Sequence, residues 1–295
     1  MASKSTINFR PRSGMAITVL KNFSFIVTGA TGRLGSHLIP HLQTRGEVIK
    51  VGRNDLEPTV LRSLARKLGP NTFFIHLAWP VSKEDYLNNQ DNYRILKLST
   101  EILLNLSDLP VNIIAAGSIL EAGNVAVIGD RIVPNPESLY AESKVKLQEF
   151  LTSNLSNSNL WARISYQISS HDPKHKLTPF LIENRKNDFT LSKGNDSLDF
   201  IHVSDVATAF AHTIDNFTQR EDQIVVGVGR GIKVIDFARR FNPENEINTL
   251  ERKANSSITM PVALTNSGWA PKFISAEDLY TAVILEKTEM SILAP

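Results

Sequence analysis

The sequence predicts an α/β protein built on a doubly wound parallel sheet, with a smaller, loop-rich C-terminal part. Three observations carry this. Short apolar runs alternate with amphipathic segments from Phe23 onward, a glycine-rich turn joins the first run to the first such segment, and the alternation gives way to polar, broken sequence after Tyr166.

Taken in order, FSFIVT reads as a strand, GRLGSHLIPHLQTRG as a helix, EVIKV as a strand, PTVLRSLARKLG as a helix and TFFIHLAW as a strand. A helix near Ile95 to Leu106, the strand VNIIAAGS, a helix near Glu137 to Ser153 and the strand LWARISY complete five or six parallel strands. Residues 52–71 leave room for one helix between EVIKV and TFFIHLAW, so this half of the sheet is expected to be abbreviated. Pro40 should cost its helix the bond to Ser36 and introduce a kink. Beyond Tyr166, SSHDPKHKLTP, NRKND and SKGNDS are loop-like, and order resumes at DFIHVSDVATAFAHTI, IVVGVG, VIDFARRF and SAEDLYTAVILEK. The expected division is a tail at residues 1–21, a dinucleotide-binding domain at 22–166, and a substrate-binding part at 167–295 with segments returning to the sheet.

Composition narrows the function. With 295 residues and 42% hydrophobic content the chain can bury a full core, and 32 basic against 30 acidic residues leave a net charge of +2. No basic stretch interleaved with aromatics suggests a nucleic-acid surface, and no apolar run is long enough to span a membrane. The absence of cysteine removes disulfides, thiolate catalysis and cysteine metal sites, and a cytoplasmic protein is expected. His171, His175 and His202 lack metal-site spacing and are expected to be structural or exposed.

The turn TGATGRLG follows a strand and opens a helix, a Rossmann-type arrangement. Gly29, Gly32 and Gly35 permit a tight turn and close backbone approach to a pyrophosphate, with Thr31, Arg33 and Leu34 filling the same cradle. An NAD site usually places an acid about twenty positions on. Here the corner reads VGRND, and Arg53 is the first side chain after the glycine. Arg53, with Arg33 approaching the same group, is expected to pair with the additional phosphate of NADP, whereas Asp55 would serve an NAD ribose instead.

In NPESLYAESK, Asn135 and Pro136 read as helix cap and first-turn residue, which sets Tyr140 and Lys144 one turn apart on one face. Such a pair is commonly solvated, but a cation close to a phenol lowers its pKa by about one to three units and makes it a usable acid. Ser118 ends a buried strand, where it can donate a hydrogen bond to a carbonyl beside Tyr140.

In TGATGRLG, IHLAW, AAGS, YAESK, DFIHVSDVATAF and LTNSGWAPKFISAEDL, the chain resembles the extended short-chain dehydrogenase/reductase family of the NAD-dependent epimerase/dehydratase type, from Phe23 almost to its end. The resemblance implies a cofactor held by Gly29, Gly32 and Gly35 with Ala78 beside it. It implies Ser118, Tyr140 and Lys144 as the catalytic triad, Lys144 also binding the nicotinamide ribose. It further implies a nucleotide-diphosphate sugar as substrate and a homodimer formed through two helices, one carrying YAESK.

Departures from the family pattern refine this. Ile119 and Leu120 stand where the 4,6-dehydratases carry an Asp-Glu pair, so dehydration is not expected. Leu198 replaces an arginine that holds the substrate's diphosphate, leaving Lys193, Arg185 or Arg230 as candidates. SYQISSHDP replaces the usual Tyr-Gly-Pro turn, so substrate identity cannot be transferred. The expected activity is NADPH-dependent reduction of a nucleotide-linked 4-keto-6-deoxy or dideoxy sugar, as in deoxysugar biosynthesis. The alternatives are a 4-epimerase that retains NAD and a non-catalytic dinucleotide-sensing or RNA-associated relative.

Overall fold

The computed structural model describes residues 23–81, 84–217 and 222–293, so the expected tail lies outside the described residues. Six strands form one parallel sheet: β1 (Phe23–Thr28), β2 (Gly46–Val51), β3 (Thr72–His76), β4 (Val111–Ser118), β5 (Asn159–Ile164) and β6 (Gln223–Val226). Their spatial order is β6-β5-β4-β3-β1-β2. The abbreviation is visible here, because only β2 lies outside β1 on that side.

Alternation along each strand divides the core. Phe25, Val27, Phe73 and Ile75 pack against α1 (Arg33–Gln43) and α6 (Val203–Asp215), through Leu34, Leu38, Val206 and Phe210. Ile26 and Phe74 point the other way, into Leu61, Ile102, Leu103 and Leu147 of α2 (Pro58–Leu68), α3 (Asp91–Leu106) and α4 (Leu139–Asn154). Helices on both faces explain why these strands are apolar on both sides. A third cluster, with Ile168, Leu181, Phe200, Phe237 and Leu279, ties α5 (Leu177–Glu183), α7 (Val234–Phe241) and α8 (Ala276–Leu293) to the short parallel pair Tyr166–Ile168 and Phe200–His202.

Two local expectations change. Helix α4 is capped by Ser138, whose side chain accepts from the Ala141 N–H at 3.2 Å, rather than by Asn135. The Asn135 N–H donates to the Glu121 carbonyl at 2.9 Å, so that segment belongs to the end of β4 and cannot start the helix. Helix α1 runs on for three residues past Pro40, which faces solvent while Leu38, Ile39 and Leu42 are buried.

The end of β4 is fixed by a buried carboxylate. Glu121 accepts from the Ser118 N–H at 2.7 Å, from Trp161 Nε1 at 3.0 Å and from Arg163 Nε at 2.7 Å. Gly117 permits this approach, since a Cβ there would lie 2.3 Å from Trp161 Nε1. On β3, His76 is buried between Thr28 Oγ1 and Ser99 Oγ, each at 2.8 Å. Burial, reinforced by the Lys144 charge, lowers its pKa to about 3.

Two outcomes are expected. Glu121→Ala leaves Arg163 buried and uncompensated, which should destabilise the fold by about 3–5 kcal/mol, read from the urea midpoint. Between about 3 and 6.5 the unfolded chain binds a proton at His76 that the folded one does not, so stability rises with pH across that window. Unfolding free energies measured from pH 3 to 7 should show a shallower slope in His76→Gln.

Candidate functional site

The C-terminal ends of β1 to β5 open into a cavity of about 1030 Å³, where ligands of open parallel sheets gather. Gly29, Thr31, Gly32, Arg33, Leu34, Gly35, Ala78, Ser118, Tyr140 and Lys144 all line it, so the structure brings together nearly all the residues expected from the sequence. Arg53 opens the short turn Arg53–Asp55 directly after β2, and its side chain lies outside the described residues.

The glycine-rich turn fits a dinucleotide. A Cβ on Gly35 would lie 2.2 Å from the Gly29 carbonyl oxygen and 2.7 Å from Ala30, so only glycine lets the turn close against the helix. No side chain caps α1 at Gly32, which leaves the first N–H groups of the helix for an anionic ligand. Gly52 and Leu56 continue the cavity along the end of β2.

Arg33, expected to approach the additional phosphate of NADP, has partners of its own. Its guanidinium pairs with Asp172 and donates to Gln167 Oε1 at 3.2 Å, so it is committed to the segment following β5. Burial lowers its pKa, and the Tyr140, Tyr86 and Glu286 groups oppose that.

Tyr140 and Lys144 do share one face of α4 at the cavity wall, where Ser118, at the end of β4, joins them. Ser118 Oγ also accepts from the Leu120 N–H at 3.2 Å. The expected acidification of the phenol is not what the geometry gives. Lys144 Nζ donates to the Ala116 carbonyl at 2.8 Å, stands 3.7 Å from the Trp79 ring centroid and 5.9 Å from that of Tyr140. Burial takes the lysine down to about 7, while burial and Tyr86 push the phenol above its ordinary value against the influence of Ser118. Desolvation is the largest cause of both shifts.

Sequence reasoning missed the aromatic wall. Tyr86 lies edge-on to Tyr140 at 5.4 Å between centroids, and Trp79 does so at 6.3 Å. Both come from the segment between β3 and α3, which has no periodicity to announce them. Of the diphosphate candidates, Lys193 lines the cavity, whereas Arg185 and Arg230 are exposed and do not. His175 also lines it, and His171 and His202 converge with His37 on Glu286, at 3.1, 3.5 and 3.1 Å respectively. Burial alone would raise the Glu286 carboxyl, but the nearby His202, with His37 and hydrogen bonds from the Ser170 N–H and Ser169, holds it well below the usual range.

Residues 25–229 match the NAD dependent epimerase/dehydratase family, and the chain belongs to it. No curated protein sequence matches the chain. Among solved structures it is similar to UDP-glucose-4-epimerase from Stenotrophomonas maltophila with bound NAD and formylated UDP-arabinopyranose, at 15% identity and TM-score 0.76, covering 92% of this chain and 100% of that one. It is also similar to MoeE5 in complex with UDP-glucose and NAD, at 17% identity and TM-score 0.74, covering 90% and 99% of the two chains. RMD from Pseudomonas aeruginosa complexed with NADPH matches at 20% identity and TM-score 0.73, covering 91% and 98%. These likenesses show the fold. Among the described residues no helix is long and apolar enough to cross a membrane, and no acidic, histidine or cysteine group suits a metal ion.

Gly35→Ala is expected to force the turn open and weaken NADPH and NADH binding about tenfold or more, the factor given by ~1.4 kcal/mol, in a fluorescence titration.

Proposed function

We propose that this protein is an NADP(H)-dependent reductase of a nucleotide-linked 4-keto-6-deoxy or dideoxy sugar. The observation that carries the reading is the convergence of Ser118, Tyr140 and Lys144 on one cavity wall, the last two one helical turn apart on α4. When bound, the nicotinamide supplies the hydride that reduces a carbonyl carbon.

The chain's own residues do the rest. Ser118 Oγ has a lone pair engaged by the Leu120 N–H, so its hydroxyl hydrogen can be donated to the carbonyl oxygen and orient it. Tyr140 transfers its phenolic proton to the same oxygen as negative charge develops there. A phenol held above its ordinary pKa is fully protonated at neutrality, which suits a donor. Lys144, close to its own titration at neutral pH, can take up charge as the phenolate forms and so stabilise it.

Dehydration is disfavoured by structure as well as sequence. Ile119 and Leu120 line the cavity beyond Ser118, while Glu121, the nearest acid in sequence, is wholly buried against Arg163 and Trp161.

A 4-epimerase that retains NAD is the second reading, favoured by one observation. Asp55 Oδ2 lies 3.1 Å from the Cβ position of Gly52 at the end of β2, where an acid can hold ribose hydroxyls, and Arg33 is occupied elsewhere. For either reading the proposed partners are a nucleotide-diphosphate sugar and a second copy of the chain.

A panel of 4-keto sugar nucleotides tests the reading: one of them should drive stoichiometric NADPH oxidation. Retained NAD with no net NADPH consumption would establish the epimerase instead. Tyr140→Phe should lower turnover about 10²–10⁴-fold while leaving NADPH affinity unchanged.

A further inference from the structure

Lys144 meets its surroundings through an indole rather than a carboxylate. Its Nζ stands 3.7 Å from the Trp79 ring centroid, closer than to the rings of Tyr140 and Trp161, each at 5.9 Å. Its hydrogen bond goes to a neutral group, the Ala116 carbonyl, at 2.8 Å. The groups that face it from the packed elements do little for its charge. Glu121, which favours the ammonium, is already paired with Arg163 Nε at 2.7 Å. His76 on β3 is neutral at pH 7, with its pKa down at about 3, and Tyr140 on the same helix is protonated.

The indole is pinned in this orientation. Trp79 Nε1 donates to Asn92 Oδ1 at 2.8 Å. Asn92, wholly buried at the start of α3, donates from Nδ2 to the Tyr86 and Asn89 carbonyls at 2.6 and 2.9 Å. Because its nitrogen serves two carbonyls, the amide must present its oxygen to the indole N–H. Trp79 itself lines the cavity and is half-buried, so the ring stands between α3 and the lysine with its face to the ammonium. Such a face attracts a cation through the ring quadrupole, most strongly where water is excluded. Burial brings Lys144 to about 7, so its two forms are closely balanced at neutral pH and a contact that prefers one of them sets the ratio.

We propose that Trp79 is a positioning residue for Lys144: its indole face, fixed by Asn92, holds the lysine in place and favours the ammonium form beside Tyr140. Only the charged form prefers the ring face, since a neutral amine has no net charge for the quadrupole to attract. The ammonium is the form that stabilises a developing phenolate. Trp79 acts through Lys144 and touches neither the proton nor the carbonyl that receives it. Its use in catalysis rests on the reductase reading, whereas the contact does not.

Two measurements test it. The emission of Trp79, taken as the difference between the wild type and Trp79→Phe, which keeps Trp161 and Trp269, should shift in a titration from about pH 5 to 10 and lose that shift in a Lys144→Met background. With NADPH and a 4-keto sugar nucleotide, turnover should fall as pH rises through the titration of Lys144. Trp79→Leu should move that fall about half to one pH unit lower, with Trp79→Phe, which keeps a ring face, lying between it and the wild type. A merely structural role would lower turnover alike at every pH and leave the midpoint in place. An emission that does not titrate with Lys144 overturns the proposal, and so does an unmoved midpoint in Trp79→Leu, in which case the reductase reading survives. If no 4-keto sugar nucleotide is reduced but the Lys144-dependent shift is present, the positioning contact stands and that reading falls. Should Trp79→Leu fail to fold, the emission titration and the midpoint of Trp79→Phe decide the matter.

Discussion

The Glu121 carboxylate is the constraint on which the active end of the sheet depends. Its bonds to the Ser118 N–H, Trp161 and Arg163 tie the last residue of β4 to β5, and Arg163 passes the connection to β6 by donating to Gln223 Oε1 at 2.8 Å. Such a buried pair contributes less to net stability than to uniqueness, because desolvation offsets much of the attraction. Here it fixes the backbone of Ser118, whose hydroxyl lies on the cavity side. Glu121 is itself wholly buried and withdrawn from the cavity.

A second polar network positions the opposite wall. Glu286 on α8 receives Ser169 and the Ser170 N–H and lies beside three histidines, and Asp172, just beyond Ser170, receives Arg33 from the start of α1. The segment SYQISSHDP is thus held from both the glycine-rich turn and the C-terminal helix. This explains why a stretch with so little regular structure still presents Gln167 at a defined place in the cavity. It also links the glycine-rich turn to that segment through Arg33.

The electrostatics of Tyr140 and Lys144 illustrate how residue pairing differs from residue environment. Their spacing places them on one helical face, but the low dielectric of the wall moves the two pKa values apart in the directions that favour neutral groups. The phenol is kept protonated and the amine is brought close to neutrality. Neither state follows from the distance between two positions in a helix.

The sequence alone determined what depends on local periodicity and on motif order: the strand-helix alternation, the abbreviated edge at β2, the glycine cradle, and Ser118, Tyr140 and Lys144 on one cavity. These are legible because hydrogen bonding along a strand or helix repeats every few residues and leaves its period in the apolar pattern. Ser138 displaced Asn135 as the cap of α4 because Asn135 was already bonded to Glu121, a tertiary contact. Arg33 found its partners 139 and 134 residues away, and Tyr86 met Lys176 only when two segments far apart in sequence folded together at the sheet edge. Only the tertiary structure decided these, because which charge meets which carboxylate, and how dry the meeting place is, is settled by burial and has no period to read.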